Sequence, residues 1–191
     1  MKLDTFAIKV YQQPDVADAC LTLQETVGLD VPILLYCAWF GLGFGEMTDG
    51  QLSQVVKKST LYASCVVKPL RQTRRWMKDA AQSNDGVAHA ENQQSWQRLR
   101  EQIKAIEISS ELLWLEALES MTAGHGLRWH TDFNAQKLVD NMRRYCLTMR
   151  TTEEMEALDA LVLLSRIADR CETVARQLML NEQHVQHPAN A

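Results

Sequence analysis

Seven positive charges lie between Gln51 and Lys78 without one carboxylate among them: Lys57, Lys58, Lys68, Arg71, Arg74, Arg75 and Lys78. On a helix Arg71, Arg75 and Lys78 share a face, and Arg74 sits one turn from both Arg71 and Lys78. Forked guanidinium donors so placed suit a phosphate or a carboxylate. A second set, Lys104, Glu107 and Glu111, reads KxxExxxE and puts its three charges on one helical surface. Two carboxylates one turn apart can hold a metal or share acid–base work, but the partners of such chemistry are missing. There is no ExxH as in di-iron bundles, no HExxH zinc signature, and no DDxxD run of the kind that binds metal-diphosphate in all-helical isoprenoid synthases. The simpler alternative needs no ligand. Glu101 to Glu119 carries five glutamates against one lysine, so the basic helix can pair with the acidic one inside the fold.

Other reactive residue types are poorly placed. His125 and His130 bracket Gly126-Leu127-Arg128-Trp129, and His184 and His187 stand three apart near the C-terminus. Both pairs read as surface or capping groups. Neither GxSxG nor GxxxxGK[ST] occurs, and Gly41-Leu42-Gly43-Phe44-Gly45 lacks the preceding strand and the spacing of a dinucleotide loop, so these glycines read as a helix stop. Cysteines at 20, 37, 65, 146 and 171 are too dispersed for a CxxC knuckle or a disulfide framework and imply reduced thiols. Cys37, Cys65 and Cys171 fall on apolar faces and read as core. Cys146, beside Arg143, Arg144 and Arg150, is the thiol whose pKa is expected to fall, yet no nearby histidine activates it as a nucleophile. The expectation is therefore no catalytic residue, no metal and no cofactor.

The elements that must position these charges are helices. With 191 residues, 46% apolar and 23% charged, the chain reads as one globular domain over 1–180 with a flexible tail over 181–191. A formal charge of -4 disfavours nucleic acid as a partner. The longest apolar stretch, Val31 to Phe44, is broken by Pro32 and two glycines and is shorter than the roughly 20 residues of a transmembrane helix. The N-terminal Met1-Lys2-Leu3-Asp4 shows no secretory signal, and a cytoplasmic location is expected. Apolar spacings of 3 and 4 with no alternating strand pattern predict an all-α, compact bundle of about seven helices.

The first helix is expected over 5–12, and the second is opened by Pro14 and stopped by Gly28. Asp30 caps a central helix over 31–43, apolar on every side. Another starts at Thr48 or Asp49 and runs toward Cys65, and Pro69 should kink or divide its continuation to Ala81. After a loop at Ser83–Gly86, a long helix over 92–121 carries a stripe of Trp96, Leu99, Ile103, Ile106, Leu113 and Ala117, with Leu112 to Leu115 passing through the core. A break at 123–126 precedes a helix over 134–149. Thr151 with Glu154 forms a capping-box signature that opens a helix over 152–179. Its seam of Ala157, Leu161, Leu164, Ala168, Cys171, Ala175 and Leu178 suits an internal neighbour or a second subunit.

The N-terminal text carries a resemblance: Phe6-Ala7, Val10-Tyr11, Pro14, Val16, Ala19-Cys20-Leu21, Leu23-Gln24, Gly28, Asp30-Val31 and Leu34-Leu35-Tyr36-Cys37-Ala38-Trp39, with Val66-Val67-Lys68-Pro69-Leu70-Arg71 and Arg74-Arg75. Over residues 3–78, and loosely over 104–111, it resembles a family of small proteobacterial proteins designated only as a domain of unknown function. The resemblance implies a bacterial, cytoplasmic, helical protein and brings no activity. Two functional expectations follow from the residues themselves. One is a non-enzymatic adaptor or regulator that presents the basic kinked helix around Arg71 to Lys78 to a protein partner, after homodimerisation in one variant. The other is an anion-binding or catalytic helical domain whose pocket is lined by Arg71, Arg75, Lys104, Glu107 and Glu111.

Overall fold

The structure, a computed structural model, describes residues 1–81, 93–123 and 135–186. The expected loop at Ser83–Gly86, the break at Gly124–Gly126 with His125 and His130, and His187 lie outside those residues, as do the side chains of Ala157 and His184. Among the described residues there are nine α-helices, one π-helical turn and no strand: α1 (Leu3–Tyr11), α2 (Val16–Thr26), α3 (Val31–Phe44), α4 (Asp49–Tyr62), the π turn (Ala63–Val67), α5 (Lys68–Ala80), α6 (Gln93–Ala123), α7 (Ala135–Leu147), α8 (Thr152–Ala157) and α9 (Ala160–Gln186). The all-α fold is as the periodicity predicts. The chain divides into two compact units, Met1–Val56 with Leu115–Ala191, and Lys57–Trp114. The unit boundaries fall within α4 and α6.

In the larger unit α3 is the central element. From Ile33 to Gly43 every residue is buried, which follows from a segment with no polar side to turn toward water. Its glycines differ from the expected stop. Gly41 and Gly43 lie inside the helix, and only Gly45, at φ +85°, ends it. Gly41 is where α7 crosses: a Cβ there would sit 2.5 Å from the Leu138 Cα, so the absence of a side chain sets the spacing of the two helices. Asn141 of α7, 1% exposed, finishes the α3 terminus by accepting from the Met47 amide at 3.0 Å and donating to the Gly45 carbonyl at 3.0 Å. These are backbone groups that a buried helix end would otherwise leave unpaired.

The remaining helices enclose this pair. The small-residue seam of α9 buries Leu164, Ala168, Cys171, Ala175 and Leu178 against α1, α2 and α7, so its neighbours are internal to the chain. Thr151 and Glu154 form the expected capping box, but the helix predicted over 152–179 is two. Asp159 at φ +51° separates α8 from α9, a left-handed conformation that aspartate tolerates better than most residues. At its far end α9 runs on to Gln186, past the start of the expected tail. Pro14 precedes α2 rather than opening it, and Asp15 at φ +66° is the N-cap.

In the smaller unit, Pro69 acts as predicted but through a specific device. The backbone stays helical from α4 into α5, and the turn before the proline widens so that the Lys68 amide donates to the Ala63 carbonyl, five residues back. Proline has no amide of its own and its ring crowds the carbonyl four residues earlier; the π turn moves that carbonyl out of register.

Candidate functional site

Both charge clusters singled out from the sequence fall in the smaller unit, where α4 and α5 run antiparallel to α6. The pairing can be followed rung by rung. At one end the Trp114 indole donates to Ser59 Oγ at 2.9 Å, and the Trp114 ring stacks on Tyr62 at 4.9 Å. Next, the Tyr62 hydroxyl donates to the Ser110 carbonyl at 2.8 Å. At the far end the Trp96 indole donates to the Met77 carbonyl at 2.9 Å and its ring packs on Trp76. Nothing in an amphipathic pattern marks these aromatic rungs in advance, although a tryptophan in a half-buried position normally finds an acceptor for its N–H.

Between the aromatic ends lies an ion network. Arg71 Nε donates to Glu107 at 3.0 Å and its terminal nitrogen to Glu111 at 2.7 Å, while Arg74 reaches Glu107 at 2.6 and 3.2 Å. Glu107 is only 6% exposed. Burial alone would raise its carboxyl pKa, but the hydrogen bonds and charges of Arg74 and Arg71 outweigh it and hold the group below its ordinary value of 4.5. The Arg74 guanidinium is pushed the other way, mainly by its bonds to Glu107. Of the predicted set, then, Arg71, Arg74, Glu107 and Glu111 meet one another. Arg75, Lys78 and Lys104 are exposed on the same unit. The basic and acidic helices touch, as the ligand-free alternative supposed.

The hydrophobic stripe of α6 is arranged differently from the expectation. Trp96, Ile103 and Ser110 turn inward with Glu107, whereas Leu99, Ile106 and Leu113 are 48, 55 and 59% exposed. Leu113 therefore does not pass through a core, and of its neighbours only Leu115 is fully buried. The buried ion pairs claim the centre of the packed face and rotate half the stripe outward, a choice that hydrophobicity cannot foresee. With about 100° per residue, the hairpin has two faces: Leu70 and Met77 with Leu99, Ile103, Ile106 and Leu113 on one, and Lys68, Arg71, Arg75 and Lys78 with Lys104 and Glu111 on the other.

The thiols also depart from expectation. Cys65 is exposed rather than core. Cys146 is buried, and desolvation pushes its pKa up to about 12 despite the nearby arginines, of which Arg144 turns to the Met47 carbonyl and Asp49. Trp39, Phe40 and Leu42 are buried, so they present no greasy edge to a membrane. Among the described residues no single helix is long and apolar enough to cross one. A shallow depression of about 530 Å3 lies at 147–154 and includes none of the predicted site residues.

The family described as Protein of unknown function (DUF2390) matches residues 2–118, a stretch that contains the whole hairpin. No curated protein and no solved structure matches the chain significantly.

Proposed function

We propose that this chain, which belongs to the DUF2390 family of proteins of unknown function, is a non-enzymatic helical interaction module that presents the basic face of its hairpin to an acidic protein partner. The observation that carries this reading is the division of labour among the hairpin's cations. Arg71 and Arg74 are held by Glu107 and Glu111, while Lys57, Lys58, Lys68, Lys78 and Lys104 stand exposed. Charge segregation supports it as well. Residues 57–114 hold ten Lys and Arg against six Asp and Glu, a net of +4, and the rest of the chain holds ten against eighteen, a net of -8. A lysine surface of this kind steers acidic partners and tolerates varied geometry, whereas bidentate capture of a phosphate calls for arginine forks, of which Arg71 and Arg74 are engaged by Glu107 and Glu111. The anion-pocket reading would require Glu107 to surrender both guanidinium groups. The four buried free thiols suit a reducing compartment and hence the cytoplasm.

The test is capture of an acidic protein by the full chain, compared with Lys68→Glu plus Lys78→Glu. These exposed substitutions should leave the melting temperature unchanged and abolish capture at physiological salt. A specific thermal shift with phosphorylated or carboxylated metabolites, retained in the lysine variant, would instead favour the anion pocket.

A further inference from the structure

Two groups of exposed charges on this chain lack a counter-charge. Elsewhere on the surface a carboxylate near a cation pairs with it: Glu46 with Lys137, Asp49 with Arg144 and Glu172 with Arg176. Lys68, Lys78 and Lys104 of the hairpin form no ion pair among the described residues. The second group lies at α8. Glu153, Glu154, Glu156 and Asp159 are all exposed, four carboxylates in seven residues, and no Lys or Arg occurs between Arg150 and Arg166. Glu154 is committed to the capping box, while the side chains of Glu153, Glu156 and Asp159 form no ion pair among the described residues.

We infer, resting on the reading of the hairpin's lysines as a docking surface, that their occupant is the acidic corner at Glu153, Glu156 and Asp159 of a second copy of the chain. Charge selects both the occupant and its orientation. Residues 57–114 carry a net of +4 and the rest of the chain a net of -8. Hairpin against hairpin therefore repels, as does one acidic remainder against another, and only the unlike pairing attracts. The contact is head-to-tail, between two different patches, so each copy in a pair keeps one unused acidic patch or one unused basic patch with which to continue. Exposed ion pairs are individually weak and screened by salt, so the association needs several of them at once and fades as ionic strength rises.

The experiment uses the full chain in reducing buffer and two charge-reversed variants, Lys68→Glu plus Lys78→Glu on the basic side and Glu153→Lys plus Glu156→Lys on the acidic side. Sedimentation over a roughly hundredfold concentration range at about 20 mM salt should show the wild-type mass rising above that of the monomer, and about 0.5 M salt should return it to the monomer. Each variant alone should stay monomeric with unchanged melting, and Glu153→Gln plus Glu156→Gln should weaken association without reversing any charge. An equimolar mixture of the two reversed variants should form a dimer and stop there, because only one intact contact remains, between the acidic patch of one and the basic patch of the other. A wild-type monomer at low salt, association that survives Glu153→Lys plus Glu156→Lys, or a mixture that stays monomeric would overturn the inference. The acidic-side variant keeps the lysines, so if it still captures an acidic protein while the wild type never self-associates, the docking surface stands and only its occupant is wrong.

Discussion

The two units solve the same problem, joining amphipathic helices, with opposite materials. Around α3 the larger unit buries nearly the whole apolar core of the described chain, and its helices approach until Gly41 leaves no room for a methyl group. Among the described residues the hairpin buries only Ala63, Val67 and Met77 as apolar side chains, and it spans its gap with arginine–glutamate pairs and aromatic rungs. Dense apolar packing gives one rigid arrangement and tolerates little change. Long polar bridges join the helices of the hairpin and leave Leu99, Ile106 and Leu113 about half exposed. The contrast separates a part closed by dense apolar packing from a part bridged by polar and aromatic contacts.

The largest expected difference between the two is in thiol reactivity. Burial pushes Cys20 and Cys146 of the larger unit up to about 12, so each holds roughly a thousandfold less thiolate near neutral pH than an ordinary cysteine. Iodoacetamide should label exposed Cys65 of the hairpin first, and mass spectrometry should find the other four untouched until denaturant is added. Next in size is Gly41→Ala, whose methyl would collide with the α7 backbone. It should cost about 3 kcal/mol or more in urea unfolding, since neither helix can yield locally.

Glu107→Ala should cost roughly 2–3 kcal/mol by leaving Arg71 and Arg74 without their shared partner; this is below the full penalty of a buried pair because both arginine side chains are about a fifth exposed to water. Hydrogen exchange should rise over 57–81 and 93–114 and stay unchanged around α3. Acid should act in the same place. A carboxyl whose folded pKa lies below its unfolded one contributes its stability above the unfolded value, and that contribution is lost as pH falls through the folded pKa. The hairpin's protection should thus decline below about pH 4.5 and be intact at neutral pH. The smallest effect belongs to Ile106→Gln, expected within about 0.5 kcal/mol in dilute solution because that side chain already faces solvent. A large loss there would mean that the hairpin has a core after all.

Much of this was legible beforehand, and the limits are instructive. The long apolar run of α3, the Thr151–Glu154 box and the proline at 69 are local signals, and each produced its element. The pairing of Arg71 and Arg74 with Glu107 and Glu111 was open to sequence reasoning as one of two alternatives, since opposite charge names a partner without saying whether the helices meet. The mistaken stripe on α6 has a plain cause. Heptad spacing says that Leu99, Ile103, Ile106 and Leu113 share a side, but which part of that side is packed depends on Glu107, a polar residue that a hydrophobic pattern assigns to solvent. Asn141 is the same case in the larger unit: a polar residue buried because two backbone groups at the end of α3 need it.

Helix type, approximate helix bounds, the central position of α3 and the segregation of positive charge into residues 57–114 were therefore determined by the sequence itself, because each follows from backbone sterics, side-chain period and charge along a single segment. Tertiary structure alone decided that Gly41 is a crossing point and not a stop, that Cys146 is a buried inert thiol, and that half of an apolar stripe faces water. Those outcomes depend on which long-range neighbour reaches a residue first, and proximity in space is not encoded in the spacing of any one helix.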